Sequence, residues 1–209
     1  MTVRFTRRGI LALSGAALVA GCGNNYSGPY ASPEVVARSA YVHPGPPELT
    51  LYTMVNNRTG EGSHSALMIN ASQRVIFDPA GTAYFRTLPE LNDVLYGITP
   101  AAEQAFISAH ARRTFHVRLQ RVRVSPEIAE VVLRRAQARG PVAATACASS
   151  LTDILQGLPG FEPIRSTMWP NRLAGQFARL PLTEDRRIYE DDEDDKTLAI
   201  AILEGRAPR

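Results

Sequence analysis

The residue best suited to chemistry in this chain is Cys147, which stands at the predicted start of an amphipathic helix. Cys147, Leu151, Ile154 and Leu158 recur at the spacing of one helix face, after a break at Gly140. A thiol at a helix N-terminus lies at the positive end of the helix dipole, which favours the thiolate and lowers the thiol pKa. The position suits a nucleophile, and it equally suits a buried structural cysteine.

A cysteine nucleophile needs a base to take its proton and a third group to orient that base. His64 and Asp78 can fill both roles and fall on a predicted β-hairpin, whose strands at 63–69 and 74–81 flank a polar turn. An odd number of loop residues makes the two directly opposed on one face, whereas an even number places them on opposite faces. Considered alone, each residue has a structural alternative. His64 is typical of a hydrogen-bonded histidine at the end of a strand, and Asp78 is typical of a residue that forms a turn.

Other residues compete for these roles. His110 and His116 are alternative bases, the first at a helix end and the second on an arginine-rich strand. Ser149 and Ser150 are alternative nucleophiles, although neither lies in a Gly-x-Ser-x-Gly turn. Trp169 is predicted to be a core residue, with a role in lining a substrate cleft as the alternative.

The elements that must position these residues follow an α+β pattern. A strand at 48–55 precedes the hairpin, and a strand at 114–124 is predicted to bury one face and expose an arginine-rich face. Helical periodicity predicts one or two helices within 88–96 and 100–111, a helix from Ser125-Pro126 to Gly140, the Cys147 helix, and a last short element at 198–203. The sequence has no phosphate-binding glycine loop and no metal-binding Cys or His spacing, so neither cofactor nor metal is expected.

The order of these motifs resembles a known superfamily. A histidine, a polar residue on the next strand and a downstream cysteine at a helix start follow one another in the reverse of the papain order. The segments 62–69, 75–81 and 146–151 resemble the circularly permuted papain-like proteins of the NlpC-type and lecithin:retinol acyltransferase-like group. The third position of that group is often His, Asn, Gln or Glu, where this chain has Asp78.

The resemblance implies a fold and an activity. The fold is an antiparallel sheet packed by a nucleophile-bearing helix, with Cys147, His64 and Asp78 as the catalytic residues. The activity is thiol-based hydrolysis or transfer at amide or ester bonds, including those of cell-wall peptides. The alternatives are a non-catalytic lipoprotein that uses the same fold to bind a peptide or envelope partner, and a redox-sensing thiol.

The N-terminal region predicts export and lipidation. Residues 1–21 form a basic and then apolar signal peptide, too short to span a bilayer permanently. Leu18–Cys22 resembles a bacterial lipobox, which implies acylation of Cys22; an ordinary signal peptide cut near a cysteine is the alternative. The pair Arg7-Arg8 also resembles a degenerate twin-arginine signal. Residues 22–47 are predicted to be a lipidated N-terminus and tether.

These predictions define a location and a set of partners. The protein is expected to be lipid-anchored in the bacterial envelope and to face the periplasm, at the outer membrane by default because Gly23 is not an acidic retention signal. Acylation of Cys22 leaves Cys147 without a disulfide partner. The partners are the membrane, through the lipid, and a peptide or acyl substrate.

The charge pattern excludes another class of partner. The net charge of +3 arises from three arginines of the leader, which has no acidic residue, so the chain from Cys22 is formally neutral. This balance argues against nucleic-acid binding. Residues 48–209 are predicted to form a single domain, in which the acidic segment 190–195 is a disordered tail or loop, with cation binding as the alternative.

Overall fold

The computed structural model describes residues 30–81, 85–143, 145–194, 200–202 and 204–205. These residues form an α+β fold. Its strands are β1 (Glu48–Asn56), β2 (Gly62–Asn70), β3 (Arg74–Phe77), β4 (Glu90–Leu91), β5 (Val94–Leu95), β6 (Phe115–Arg123) and β7 (Leu182–Ile188). Its helices are α1 (Pro33–Arg38), α2 (Pro100–His110), α3 (Pro126–Arg139), α4 (Cys147–Leu155) and α5 (Pro170–Phe177). The predicted signal peptide and Cys22 lie outside the described residues.

The strands make one antiparallel sheet in the order β4-β5-β3-β2-β1-β6-β7. Alternate residues of β1 and β2 belong to two separate buried clusters, because successive side chains of a strand point to opposite faces. Helices α3, α4 and α5 contribute to the first cluster, and α2 contributes to the second. The sheet is therefore covered on both faces, and the predicted α+β class with an antiparallel sheet is confirmed.

Three helices begin with the same local chemistry. Ser32, Thr99 and Ser125 each accept a hydrogen bond from a first-turn N–H of α1, α2 or α3, and proline follows each of them. A hydroxyl at the N-cap satisfies an N–H that the helix leaves unpaired, and proline needs no such partner in the first turn. The sequence signal for the start of α3 is thus confirmed.

Of the one or two helices predicted within 88–96 and 100–111, none forms at 88–96. This segment is a tight hairpin of two-residue strands, β4 and β5, turning at Asn92 and Asp93. Both residues have positive φ, 54° and 61°, as a primed hairpin turn requires. The left-handed pair ends any helix at this point, whereas the predicted helix at 100–111 matches α2.

The prediction that β6 exposes one arginine-rich face is wrong. Arg118 and Arg121 are three residues apart and therefore point to opposite faces of the sheet. Their side chains are only 23% and 24% exposed. Arg118 pairs with Asp185 of β7 at 2.7 Å. Arg121 pairs with Glu103 of α2 at 3.2 Å and with Glu184 at 3.0 Å. The arginines therefore hold α2 and β7 on the sheet, a role that the alternating pattern alone does not reveal.

The described part of the predicted tether packs on the domain. The N–H of Ala31 donates to the Glu90 carbonyl, and the N–H of Arg74 donates to the Tyr41 carbonyl, both at 2.8 Å. Asn70 Nδ2 donates to the carbonyl of Pro46 at 2.8 Å. Residues 30–47 therefore belong with the folded unit rather than standing clear of it.

The acidic segment, described as far as Asp194, is a loop fixed to the end of α2. Glu190 accepts from the Ser108 hydroxyl at 2.7 Å, and Asp192 pairs with Arg112 at 3.2 Å. Asp194 accepts from the backbone N–H and the hydroxyl of Thr114. The described part of this segment is therefore an ordered loop, where a disordered tail or loop was predicted.

No helix among the described residues is long and apolar enough to cross a membrane.

Candidate active site

The hairpin of β2 and β3 places His64 beside Asp78. Its strands pair from Asn70 with Arg74 to Leu67 with Phe77, so the loop has three residues. An odd loop puts His64 and Asp78 on one face, as the parity argument predicts. Continuing the register places Asp78 opposite Ala66, so the pair is diagonal rather than directly opposed. His64 Nε2 lies 2.6 Å from Asp78 Oδ1.

The third predicted residue reaches the same point from α4. Cys147 is the first residue of that helix and only 4% exposed. Its thiol hydrogen-bonds to the His64 imidazole and to the backbone N–H groups of Ser65 and Ala148. Because β3 ends at Phe77, β2 has no partner strand on that side at Ser65. The structure thus brings Cys147, His64 and Asp78 together.

The contact with Asp78 places one proton of the His64 ring. A carboxylate only accepts hydrogen bonds, so Nε2–H donates to Asp78. The remaining ring nitrogen is Nδ1, and the imidazole also interacts with the Cys147 thiol. A base oriented in this way takes the thiol proton on Nδ1 while Asp78 holds the ring.

The same contacts favour the ion pair of thiolate and imidazolium. Burial alone lowers the pKa of His64, but the charge and hydrogen bond of Asp78, with a smaller contribution from Cys147, raise that pKa to about 10. Burial raises the pKa of Cys147, but His64 and the N–H groups of Ser65 and Ala148 outweigh it and lower that pKa below its usual value. The thiol is therefore activated by a defined partner.

Helix α4 starts without the cap that α1, α2 and α3 have. Its N-cap is Ala146, which has no side-chain acceptor, and no side-chain cap is present. The N–H groups of an uncapped first turn remain available to an anion. One of them, from Ala148, is already directed at the thiol.

Two further carboxyl groups lie near Asp78. Burial, followed by the charges of Asp78 and Asp93, raises the pKa of Glu90 to about 8. Burial also raises the pKa of Asp93, against the hydrogen bonds from the N–H groups of Ala80 and Val142 and from Tyr30. Sequence reasoning missed both residues. The available signal was the polar pair Asn92-Asp93 between apolar residues, which is typical of a hairpin turn.

The alternative bases occupy other positions. His110 stacks on His64 with ring centroids 6.2 Å apart, and its Nδ1 donates to the Phe106 carbonyl at 2.8 Å. His116 lies 2.7 Å from Asn57 through Nδ1 and stacks on Tyr189. Of the histidines, His64 is the one whose charge and hydrogen bond lower the pKa of Cys147.

The alternative nucleophiles are engaged with the helix backbone. The Ser149 hydroxyl donates to the Ala146 carbonyl at 3.1 Å. The Ser150 hydroxyl donates to the carbonyls of Ala146 and Cys147, both at 2.9 Å. Neither hydroxyl lies against a histidine in these contacts, so the geometry favours the thiol.

Trp169 is not a core residue, which corrects the sequence prediction. It is 70% exposed, and its neighbour Met168 is 60% exposed. The start of the helix that follows is tied to the loop between β1 and β2, because Asn171 Nδ2 donates to the Gly60 carbonyl at 2.8 Å. The buried residues of this segment include Leu173 and Phe177 of α5 instead.

In the described part of the chain, no group of three or more His, Cys, Asp or Glu side chains is arranged to hold a metal ion. Comparison of the chain with models of protein families, with curated proteins and with solved structures found no match.

Proposed function

We propose that this protein is a thiol hydrolase or acyltransferase acting on amide or ester bonds. Cys147 is the nucleophile, His64 the general base and then acid, and Asp78 the group that orients His64. The observation that carries the proposal is one buried imidazole that contacts a carboxylate and also hydrogen-bonds to a thiol, whose pKa it lowers. This is the arrangement by which a weak nucleophile is activated.

The reaction follows from these positions. The thiolate of Cys147 attacks a carbonyl carbon, and the carbonyl electrons move onto oxygen. The backbone N–H groups of the first turn of α4, which no side chain caps, stabilise that charge. When this intermediate collapses, the C–N or C–O bond breaks and the imidazolium gives its Nδ1 proton to the leaving amine or alkoxide. His64 then deprotonates water, or an acceptor alcohol or amine, which attacks the thioester and releases the thiolate.

The finer fold is part of the proposal. We infer a circularly permuted papain-like arrangement, in which the base and the orienting residue precede the nucleophile along the chain. It is supported by His64 and Asp78 on one hairpin and by Cys147 at the start of a helix that packs on β2.

We also propose that acylation of Cys22 anchors the protein in the bacterial envelope, facing the periplasm, by default at the outer membrane. Seven residues separate Cys22 from Tyr30, the first residue that the structure describes, whose hydroxyl bonds to Asp93. The eight steps from Cys22 to Tyr30 span at most about 29 Å. The site would therefore work close to the membrane surface, on a peptide or acyl substrate that is held there.

The test is covalent trapping on the exported chain. Incubation with p-nitrophenyl acetate should add one acetyl group to Cys147, detected by intact mass and peptide mapping, and Cys147→Ser and His64→Ala should abolish it. His116→Ala is the matched control, because that histidine contacts Asn57 and Tyr189 instead. Wall peptides and simple acyl esters would then identify the substrate.

Thiol alkylation separates this proposal from its rivals. Iodoacetamide should react rapidly with Cys147 near pH 6, and His64→Ala should slow that reaction. Slow alkylation near pH 6 that His64→Ala leaves unchanged, with no acetylation, would contradict the proposal and favour a non-catalytic binding protein. Reversible oxidation of Cys147 that does not need His64 would favour a redox-sensing thiol.

A further inference from the structure

The carboxylate that orients His64 sits on an unusual turn. Asp78 follows the last residue of β3 and is 3% exposed, and the chain then passes through Ala80 with φ of 59° to Gly81. Few non-glycine residues adopt positive φ, so this backbone conformation is maintained by its surroundings. The contacts of the turn show what maintains it.

Gly81 passes directly over the Asp78 side chain. A Cβ added at Gly81 would lie 2.5 Å from Asp78 Oδ2 and 3.1 Å from Asp78 Cγ. The φ of Gly81 lies outside the left-handed region, so the backbone itself would accept another residue. A side chain at Gly81 would therefore displace the carboxylate, which is the nearest group, and would also press on the Asp78 carbonyl oxygen at 3.1 Å.

Asp93 holds the turn from the other side. Its carbonyl accepts from the N–H of Asp78 at 2.8 Å, and its Oδ2 accepts from the N–H of Ala80 at 3.1 Å. The same Oδ2 accepts from the N–H of Val142 at 2.8 Å, in the segment that leads to Cys147. One carboxylate, 1% exposed, thus joins the Asp78 turn to the approach of the helix that carries the thiol.

We propose that Gly81 and Asp93 are positioning residues that hold the Asp78 carboxylate against His64, Gly81 by leaving room for it and Asp93 by fixing the turn to the segment before Cys147. This inference rests on the proposed function for its catalytic meaning, but the contact it concerns can be measured without catalysis. Displacement of a reacting group by about 1 Å can cost on the order of 100-fold in rate.

The first test is Gly81→Ala, with Gly175→Ala as its matched control. Gly175 has nothing within 4 Å of an added Cβ, and its φ is not left-handed. NMR titration of His64 should show its apparent pKa lowered by about 1 or more in Gly81→Ala, because a displaced Asp78 no longer stabilises the imidazolium. Alkylation of Cys147 at pH 6 should slow by about tenfold or more in the same variant, and Gly175→Ala should match the wild type in both measurements.

The second test is Asp93→Ala beside Asn92→Ala, since both replace a residue of positive φ in the same turn. Asp93→Ala should lower the His64 pKa and slow alkylation, whereas Asn92→Ala should change neither. Asp93→Asn should restore wild-type behaviour, because the amide oxygen can accept from the N–H groups of both Ala80 and Val142. If Asp93→Ala does not fold, Gly81→Ala and Asp93→Asn decide the matter.

Two results have distinct meanings. An unchanged His64 titration in Gly81→Ala would overturn the positioning proposal, whatever the protein catalyses. A His64 titration that responds to Gly81→Ala, in a protein whose Cys147 alkylates independently of His64, would support the positioning contact and contradict the proposed function.

Discussion

Replacing Asp78 by asparagine isolates the charge that supports the thiolate. The amide oxygen that Asp78→Asn introduces can still accept from His64 Nε2–H, so the imidazole keeps its orientation and loses only its anionic partner. The pKa of His64 is about 10 in the folded protein against an ordinary value of 6.5. That difference corresponds to about 5 kcal/mol in favour of the imidazolium.

Most of this free energy belongs to the Asp78 charge. Two unit charges about 4 Å apart at an effective dielectric constant of about 20 attract by about 4 kcal/mol. Without that attraction the proton returns to the thiol at pH 6. A cysteine of ordinary pKa is then on the order of 0.3% thiolate. We therefore expect Asp78→Asn to slow alkylation of Cys147 at pH 6 by at least about tenfold, with a limit on the order of 100-fold.

The assay is the rate of iodoacetamide alkylation between pH 5 and pH 9, followed by intact mass. Asp153→Asn is the matched control, because Asp153 lies on the same helix as Cys147, is exposed, and pairs only at 3.5 Å with Arg139. The control should reproduce the wild-type profile. If the profile of Asp78→Asn coincides with that of the wild type, Asp78 does not set the ionisation of the pair and the reasoning is refuted.

Three further predictions concern stability, each measured by urea unfolding. Trp169→Ala should change the free energy of unfolding by less than about 0.5 kcal/mol, because the side chain is 70% exposed; a loss above about 2 kcal/mol would indicate core packing. Glu103→Gln should cost about 3–5 kcal/mol, because it leaves the buried Arg74 without its carboxylate; a change below about 1 kcal/mol would contradict this. The pKa of Glu90 is raised from 4.5 to about 8, so the folded protein keeps its proton where the unfolded chain has lost it, and stability falls as pH rises through that interval. The stability of Glu90→Gln relative to the wild type should accordingly increase from pH 4.5 to pH 8, and a constant difference would show that Glu90 titrates normally.

Elements with a clear periodic pattern were predictable from the sequence. The apolar spacing from Cys147 to Leu158 predicts α4 and its buried face, and Ser125-Pro126 predicts the start of α3, because both signals depend on neighbouring residues alone. The hairpin parity of His64 and Asp78 likewise depends only on a loop length.

Elements without a local pattern are mispredicted or missed. Two-residue strands such as β4 and β5 are too short to show alternation, so their turn at Asn92 and Asp93 falls inside a predicted helix. The edge strand β7 is polar along most of its length and is not predicted. The ordered acidic loop depends on Ser108, Arg112 and Thr114, which lie far from it in the sequence.

The same distinction applies to the site. The sequence by itself determined that a thiol begins a helix and that a histidine and a carboxylate lie on one hairpin, where an odd loop puts them on one face, since helix and strand periodicities fix these relations locally. Only the tertiary structure decided that α4 docks with its first residue against β2, that Asp93 reaches both the Asp78 turn and Val142, and that Trp169 stays exposed. The contacts of α4 and Asp93 join segments that are distant along the chain, and they form because α4 and the hairpin are buried in one core.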